Sequence, residues 1–151
     1  MYRIGLDLGG TNIAAGLVNE DVEILVKDSL PTQATRPPEL IVDDIALLCR
    51  RVCDAAGVSA ADIEAVGIAS PGVANHDSGV VEYANNRPFR QFPIAALLCE
   101  RFPVKRVSVE NDANAAAWGE AVAGAARGTK NSVMITLGTG LGGGIIIDRT
   151  V

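Results

Sequence analysis

The sequence predicts an α/β fold whose mixed sheet begins as an antiparallel meander. Three strand-like segments follow one another at the start with only short turns between them. After them, helical and strand patterns alternate, giving the order β-β-β-α-β-α-β-α. The 16 glycines fall mainly at the ends of apolar runs, where backbone freedom or close approach to a ligand is useful.

Tyr2 to Leu8 reads as the first strand, Gly9-Gly10-Thr11 as a tight turn, and Asn12 to Val18 as the second strand. Val22 to Leu30 alternates and completes the meander. Thr32 to Pro38 is a Pro/Thr loop. Ile41, Ile45, Leu48, Val52 and Ala55 recur at helical spacing, one apolar face of a helix that Gly57 ends. Ser59 caps a short turn before the apolar strand Ala65 to Ala69, which Ser70-Pro71-Gly72 breaks.

Val73 to Pro88 is polar and turn-rich, with a hairpin around Asp77-Ser78-Gly79. Pro93 to Phe102 is a short helix with proline at its first turn. Arg106 to Glu110 is a strand, and an alanine-rich helix runs from about Ala113 to Ala126 with Trp118 in the core. Ser132 to Leu137 is a strand, Gly138 to Gly144 a loop, and Ile145 to Asp148 a further strand. No internal repeat or low-complexity segment interrupts this order.

At 151 residues the chain can bury a real core, since a domain of that size hides roughly two-thirds of its unfolded surface. Apolar residues make up 48% and charged residues 21%, as in an ordinary globular protein. No apolar tract is long enough to cross a bilayer. Met1 leads straight into a strand pattern, so no signal peptide is expected. Cys49, Cys53 and Cys99 form no C-x-x-C pair, which predicts reduced thiols that act as small apolar residues. A net charge of −5 leaves no basic footprint for nucleic acid. The expectation is a cytoplasmic protein with neither nucleic-acid nor membrane partners, in which His76 is a solvent-exposed loop residue.

Three segments carry candidate chemistry. Asp7-Leu8-Gly9-Gly10-Thr11-Asn12 is either a hairpin with a glycine turn or an anion site whose backbone N–H groups converge. Asp7 beside an anion makes sense only with a cation between them, and Mg²⁺ on a nucleotide is the obvious one. Leu137 to Gly144 has a similar layout and formally contains G-x-G-x-x-G at Gly138, Gly140 and Gly143. A dinucleotide fingerprint opens a helix, whereas Ile145-Ile146-Ile147 follows here, so that reading fails on context. Two strand–Gly/Thr-turn–strand units are better explained by one ligand with several phosphates than by two unrelated hairpins. Asn111-Asp112 stands at a strand-to-helix junction and is either a helix cap or a reader of hydroxyls paired with a general base.

Taken together, Asp7 to Asn12, Ala69-Ser70-Pro71-Gly72, Glu110 to Ala117 and Leu137 to Gly144 resemble the ROK family (repressors, open reading frames and sugar kinases) in order and spacing. The resemblance implies an actin/hexokinase-like (ribonuclease H-like) ATPase fold with helices on both faces of the sheet. It implies that Gly9, Gly10, Thr11 and Asn12 bind phosphate, with Asp7 holding Mg²⁺ through water, and that Gly138, Thr139 and Gly140 form the second phosphate loop. Asp112 becomes the base that takes the proton of a sugar hydroxyl. Asn111 holds ring hydroxyls, and Gly72 and Asn85 line the same pocket. The implied reaction joins ATP and a hexose, glucose foremost, to give ADP and the hexose 6-phosphate.

The same pattern implies a longer protein, a homodimer, whose second lobe carries the adenosine pocket and a structural zinc site. On that reading residues 1–128 are the N-terminal lobe and 129–151 the first hairpin of the next, and the fragment alone is inactive. Two other readings stand beside this one. A non-enzymatic sugar-sensing regulator of the same family would need a helix-turn-helix ahead of the first strand, for which Met1 leaves no room. Another actin-fold ATPase would leave Asn111-Asp112 with no sugar to read.

Overall fold

In the computed structural model, which describes residues 1–84, 89–137 and 141–151, the predicted meander is present and extended into a mixed sheet. Its strands are β1 (Tyr2–Leu8), β2 (Asn12–Val18), β3 (Ile24–Pro31), β4 (Ile63–Ser70) and β8 (Val107–Asn111), in the order β3-β2-β1-β4-β8. β1 pairs antiparallel with β2 and parallel with β4. Helix α1 (Pro38–Ala56) connects β3 to β4, with a short 3₁₀ turn (Ala60–Asp62) ahead of β4. A second sheet orders the strands β5 (Val73–Asn75), β6 (Val80–Tyr83) and β7 (Arg90–Phe92) one after another, and α2 (Ile94–Arg101) follows. Helix α3 (Asp112–Ala123) and the hairpin of β9 (Ser132–Leu137) and β10 (Leu141–Ile146) complete the chain.

The chain divides into two compact units, Met1–Glu110 and Asn111–Val151. In the first, the alternation of β1 points Ile4, Leu6 and Leu8 into the core and leaves Arg3, Gly5 and Asp7 exposed. Ile41, Ile45, Leu48 and Val52 of α1 are fully buried. Each contributes roughly 1.5–3 kcal/mol by leaving water. Gly57 ends this helix in the left-handed conformation, φ 67°. Ser59 accepts from the Ala61 N–H, capping the turn as its residue type predicts.

In the second unit α3 packs on the β9–β10 hairpin. A Cβ at Gly144 would lie 2.5 Å from the Ala117 Cβ and 2.8 Å from the Ala113 carbonyl oxygen, so the hairpin meets the helix backbone closely only because that position lacks a side chain. The opposite face of the hairpin exposes Val133, Ile135, Leu137, Leu141 and Ile145. No helix among the described residues is long and apolar enough to cross a membrane.

Among the differences from the sequence expectation are three strands and one side chain. β3 starts at Ile24 rather than Val22. β7, three residues long, falls between the turn-rich segment and the second helix where the sequence assigns no element, having too few residues for any periodicity. β10 starts at Leu141 because Gly142 and Gly144 are strand residues that face α3, not members of a loop. Trp118 is 45% exposed rather than core, since Ala113 and Ala117 form the packed side of α3.

Candidate functional site

The end of β1 places Asp7 opposite Ala14 on β2 and Ala69 on β4. Those small neighbours leave the carboxylate at the surface, where Asp7 is exposed. The turn that follows is held from behind. Thr32 donates from Oγ1 to the Gly9 carbonyl at 2.8 Å, and its backbone N–H donates to the Thr11 carbonyl at 2.8 Å. Thr32 is completely buried. A Cβ at Gly9 would lie 2.8 Å from the Asn12 carbonyl oxygen, too close for any other residue without a backbone shift. With two carbonyls bound to Thr32, the turn keeps Gly10, Thr11 and Asn12 on the exposed side. That arrangement suits an anion bound by outward backbone and hydroxyl donors.

Sequence reading missed Thr32, because it reaches the turn through nonlocal pairing of β2 with β3, Asn12 opposite Pro31. Arg36 supports the same corner: its guanidinium donates to the Thr32 carbonyl at 3.1 Å and pairs with Asp44. Only the register of the meander signals this, and the Pro/Thr composition of the segment hides it.

β4 ends at Ser70, which is fully buried, and Gly72 follows with φ 91°. A Cβ there would lie 2.0 Å from the Tyr83 carbonyl oxygen. At the end of β8, the Glu110 carboxylate lies 3.9 Å from His76 Nδ1, so the exposed histidine of the β5–β6 turn stands beside the strand that leads to Asn111 and Asp112.

The two candidate roles of Asn111-Asp112 separate here. Asn111 is the cap: its Oδ1 accepts from the Ala113 N–H at 3.0 Å and from the Asn114 N–H at 3.2 Å. Asp112 is the first residue of α3 and is exposed, with Oδ1 accepting from the Ala113 N–H at 2.8 Å. Capping therefore accounts for the amide of Asn111, while the Asp112 carboxylate stands at the surface. Asn85, Gly138, Thr139 and Gly140 lie outside the described residues.

No group of three or more His, Cys, Asp or Glu side chains able to hold a metal occurs among the described residues. An exposed carboxylate such as Asp7 fits a hard cation whose other ligands are phosphate oxygens and water. The thiols offer nothing comparable. Cys49 and Cys53 are buried and Cys99 is exposed; burial, with a smaller contribution from Cys53, pushes the Cys49 thiol up to about 12.

A family model described as ROK family matches residues 3–151. The chain belongs to the ROK family. The glucokinase of Streptomyces coelicolor is 48% identical over 144 residues, which is 95% of this chain and 43% of that protein. The glucokinase of Thermotoga maritima is 40% identical over 144 residues, 95% of this chain and 44% of that protein. A crystal structure of a ROK family glucokinase from Streptomyces griseus, in complex with glucose and AMPPNP, superposes with a TM-score of 0.88 at 43% identity. It covers 99% of this chain and 46% of that one. The chain thus spans under half the length of these ROK relatives, and its α/β architecture with parallel and antiparallel strands is that of the ROK sugar kinases.

Proposed function

We propose that the protein to which this chain belongs phosphorylates a hexose, most readily glucose, at its 6-hydroxyl with ATP. The observation that carries this reading is the division of labour at the start of α3. Asn111 supplies the cap, and the neighbouring carboxylate of Asp112 is exposed. With the cap already supplied, the exposed carboxylate at the first position of α3 is open to a second role.

In the proposed reaction Asp112 accepts the proton of the 6-hydroxyl as that oxygen bonds to the γ-phosphorus and the bond to the β–γ bridging oxygen breaks. Positioned proton acceptance of this kind is worth roughly 10²–10⁴-fold in rate. Asn111, whose Oδ1 caps the helix, would orient ring hydroxyls through its amide. Gly9, Gly10, Thr11 and Asn12 would hold phosphate oxygens on the exposed side of the turn that Thr32 braces. Gly138, Thr139 and Gly140 are assigned the same task from sequence. Asp7 would hold Mg²⁺ through water, and the ion when bound neutralises charge on the transferring phosphates.

We assign residues 1–128 to the N-terminal lobe and 129–151 to the start of a second lobe. The adenosine pocket and any structural zinc site are assigned to the part of the protein outside this chain. The chain alone would be inactive, since its ROK relatives are more than twice as long. A cytoplasmic homodimer without nucleic-acid or membrane partners completes the proposal. The full-length protein, assayed with ATP against a panel of hexoses, should phosphorylate glucose with the highest kcat/KM. Absence of hexose-dependent ADP release across the panel would defeat the assignment.

A further inference from the structure

We infer that Arg36, held in place by Asp44, is a positioning residue for nucleotide phosphate, acting through Thr32 on the turn of Gly9 to Asn12. The inference rests on the kinase reading above and deepens it. Thr32 commits two donors to that turn: Oγ1 reaches the Gly9 carbonyl and the backbone N–H reaches the Thr11 carbonyl, each at 2.8 Å. Where Thr32 stands therefore sets where the backbone of the turn stands. Whatever fixes Thr32 fixes the turn.

Arg36 grips Thr32 from its carbonyl side. Its Nη2 donates to the Thr32 carbonyl at 3.1 Å, and its Nε donates to the Gln33 carbonyl at 3.4 Å. The Arg36 backbone N–H reaches the same Gln33 carbonyl at 3.1 Å. Gln33 has φ 47°, a left-handed conformation uncommon for a residue with a side chain. Such a conformation persists where its surroundings over-determine it, and here two donors of Arg36 hold it. The Asp44 carboxylate in turn pairs with Nη2 of Arg36. Both side chains are 26% exposed, so the pair is partly withdrawn from water, where a charge-assisted bond is stronger than at an open surface. Asp44 belongs to α1, and the series Asp44–Arg36–Thr32 thus runs from that helix to two carbonyls of the turn. The planar guanidinium fork is what lets one side chain serve both carbonyls and the carboxylate.

A second ion pair supplies a control within the same layer. Arg51 of α1 meets Asp28 of β3 at 2.7 Å, and Asp28 lies opposite Ala15 in the body of the β2–β3 ladder. Removing Arg51 loosens α1 from β3 without withdrawing a bond from Thr32 or Gln33.

The test measures ATP and hexose kinetics of full-length Arg36→Ala and Arg51→Ala, together with amide hydrogen exchange over residues 9–12. Misplacing a positioning group by about 1 Å can cost on the order of 10²-fold, so slackening one step removed should raise the ATP KM about tenfold in Arg36→Ala. Its hexose KM should be unchanged and its turn amides should exchange faster. Arg51→Ala should keep both constants and the exchange rates. An ATP KM for Arg36→Ala no different from that of Arg51→Ala, or an equal rise in its hexose KM, overturns the inference. If Arg36→Ala does not fold, Asp44→Ala decides, since it frees the guanidinium while leaving its donors in place. A several-fold rise in the ATP KM alone then supports the inference, and an unchanged value overturns it. A wild-type protein that phosphorylates no hexose would remove the kinase reading, and the exchange rates would still decide the brace. Faster exchange in Arg36→Ala upholds it; exchange at the wild-type rate overturns it.

Discussion

The hydroxyl of Thr32 reaches the carbonyl of Gly9 at 2.8 Å and joins the end of β3 to the turn between β1 and β2. A buried side chain from one strand thereby holds the backbone of a turn whose opposite side is open to solvent. The turn is thus held in place from behind, by a residue outside it.

Thr32→Val keeps the shape of the side chain and removes the donor. The Gly9 carbonyl loses that part-buried bond, at a cost of about 0.5–1.5 kcal/mol. Denaturant unfolding should report that loss. In the full-length protein the ATP KM should rise while the hexose KM changes little, because the Thr32 hydroxyl bonds to the turn proposed to hold phosphate. An equal rise in both constants would indicate general loosening.

At the other junction, capping and substrate binding can be separated by choice of substituent. Asn111→Ala removes the acceptor for Ala113 and Asn114 and should cost about 0.5–2 kcal/mol. Asn111→Asp keeps an acceptor of nearly the same shape, so stability should be held within about 0.5 kcal/mol of the wild type. Its hexose affinity should fall nonetheless, because the amide donors are gone. Paired unfolding and binding measurements on the two variants check this.

The thiols respond to burial. One equivalent of Ellman-type reagent should react with the native chain, at exposed Cys99, and three after denaturation, when Cys49 and Cys53 are released. Burial holds the Cys49 proton in the folded chain up to about 12. The unfolded chain releases it near about 8.5. Between these values the unfolded state binds fewer protons, so stability falls as pH rises through that window and is unaffected below it. The slope approaches about 1.4 kcal/mol per pH unit. Urea midpoints measured from neutral to strongly alkaline pH should show this decline, and Cys49→Ala should reduce it.

How much of this was legible in the sequence depends on whether the signal was local. β1, β2 and the inward face of α1 could be read because alternation and helical spacing lie within single segments, as with Ile4, Leu6 and Leu8 or Ile41, Ile45 and Leu48. The cap at Ser59 and the end of α1 at Gly57 followed from residue chemistry at single positions. Thr32 could not be read in this way, because its role arises from the register of β2 against β3. Trp118 was placed in the core on residue type alone, whereas the small side chains of Ala113 and Ala117 are what pack against the hairpin. Glycines 142 and 144 looked like loop residues; in the fold they are strand positions that admit a helix at close range.

The proposed role of Asp112 is most directly tested by Asp112→Asn in the full-length protein, with kcat measured beside hexose binding. The side chain stays nearly isosteric and the acceptor for the Ala113 N–H remains. We expect kcat to fall by about 10²–10⁴-fold while hexose still protects the variant against thermal unfolding. A variant that turns over at the wild-type rate would contradict the assignment of Asp112 as the base.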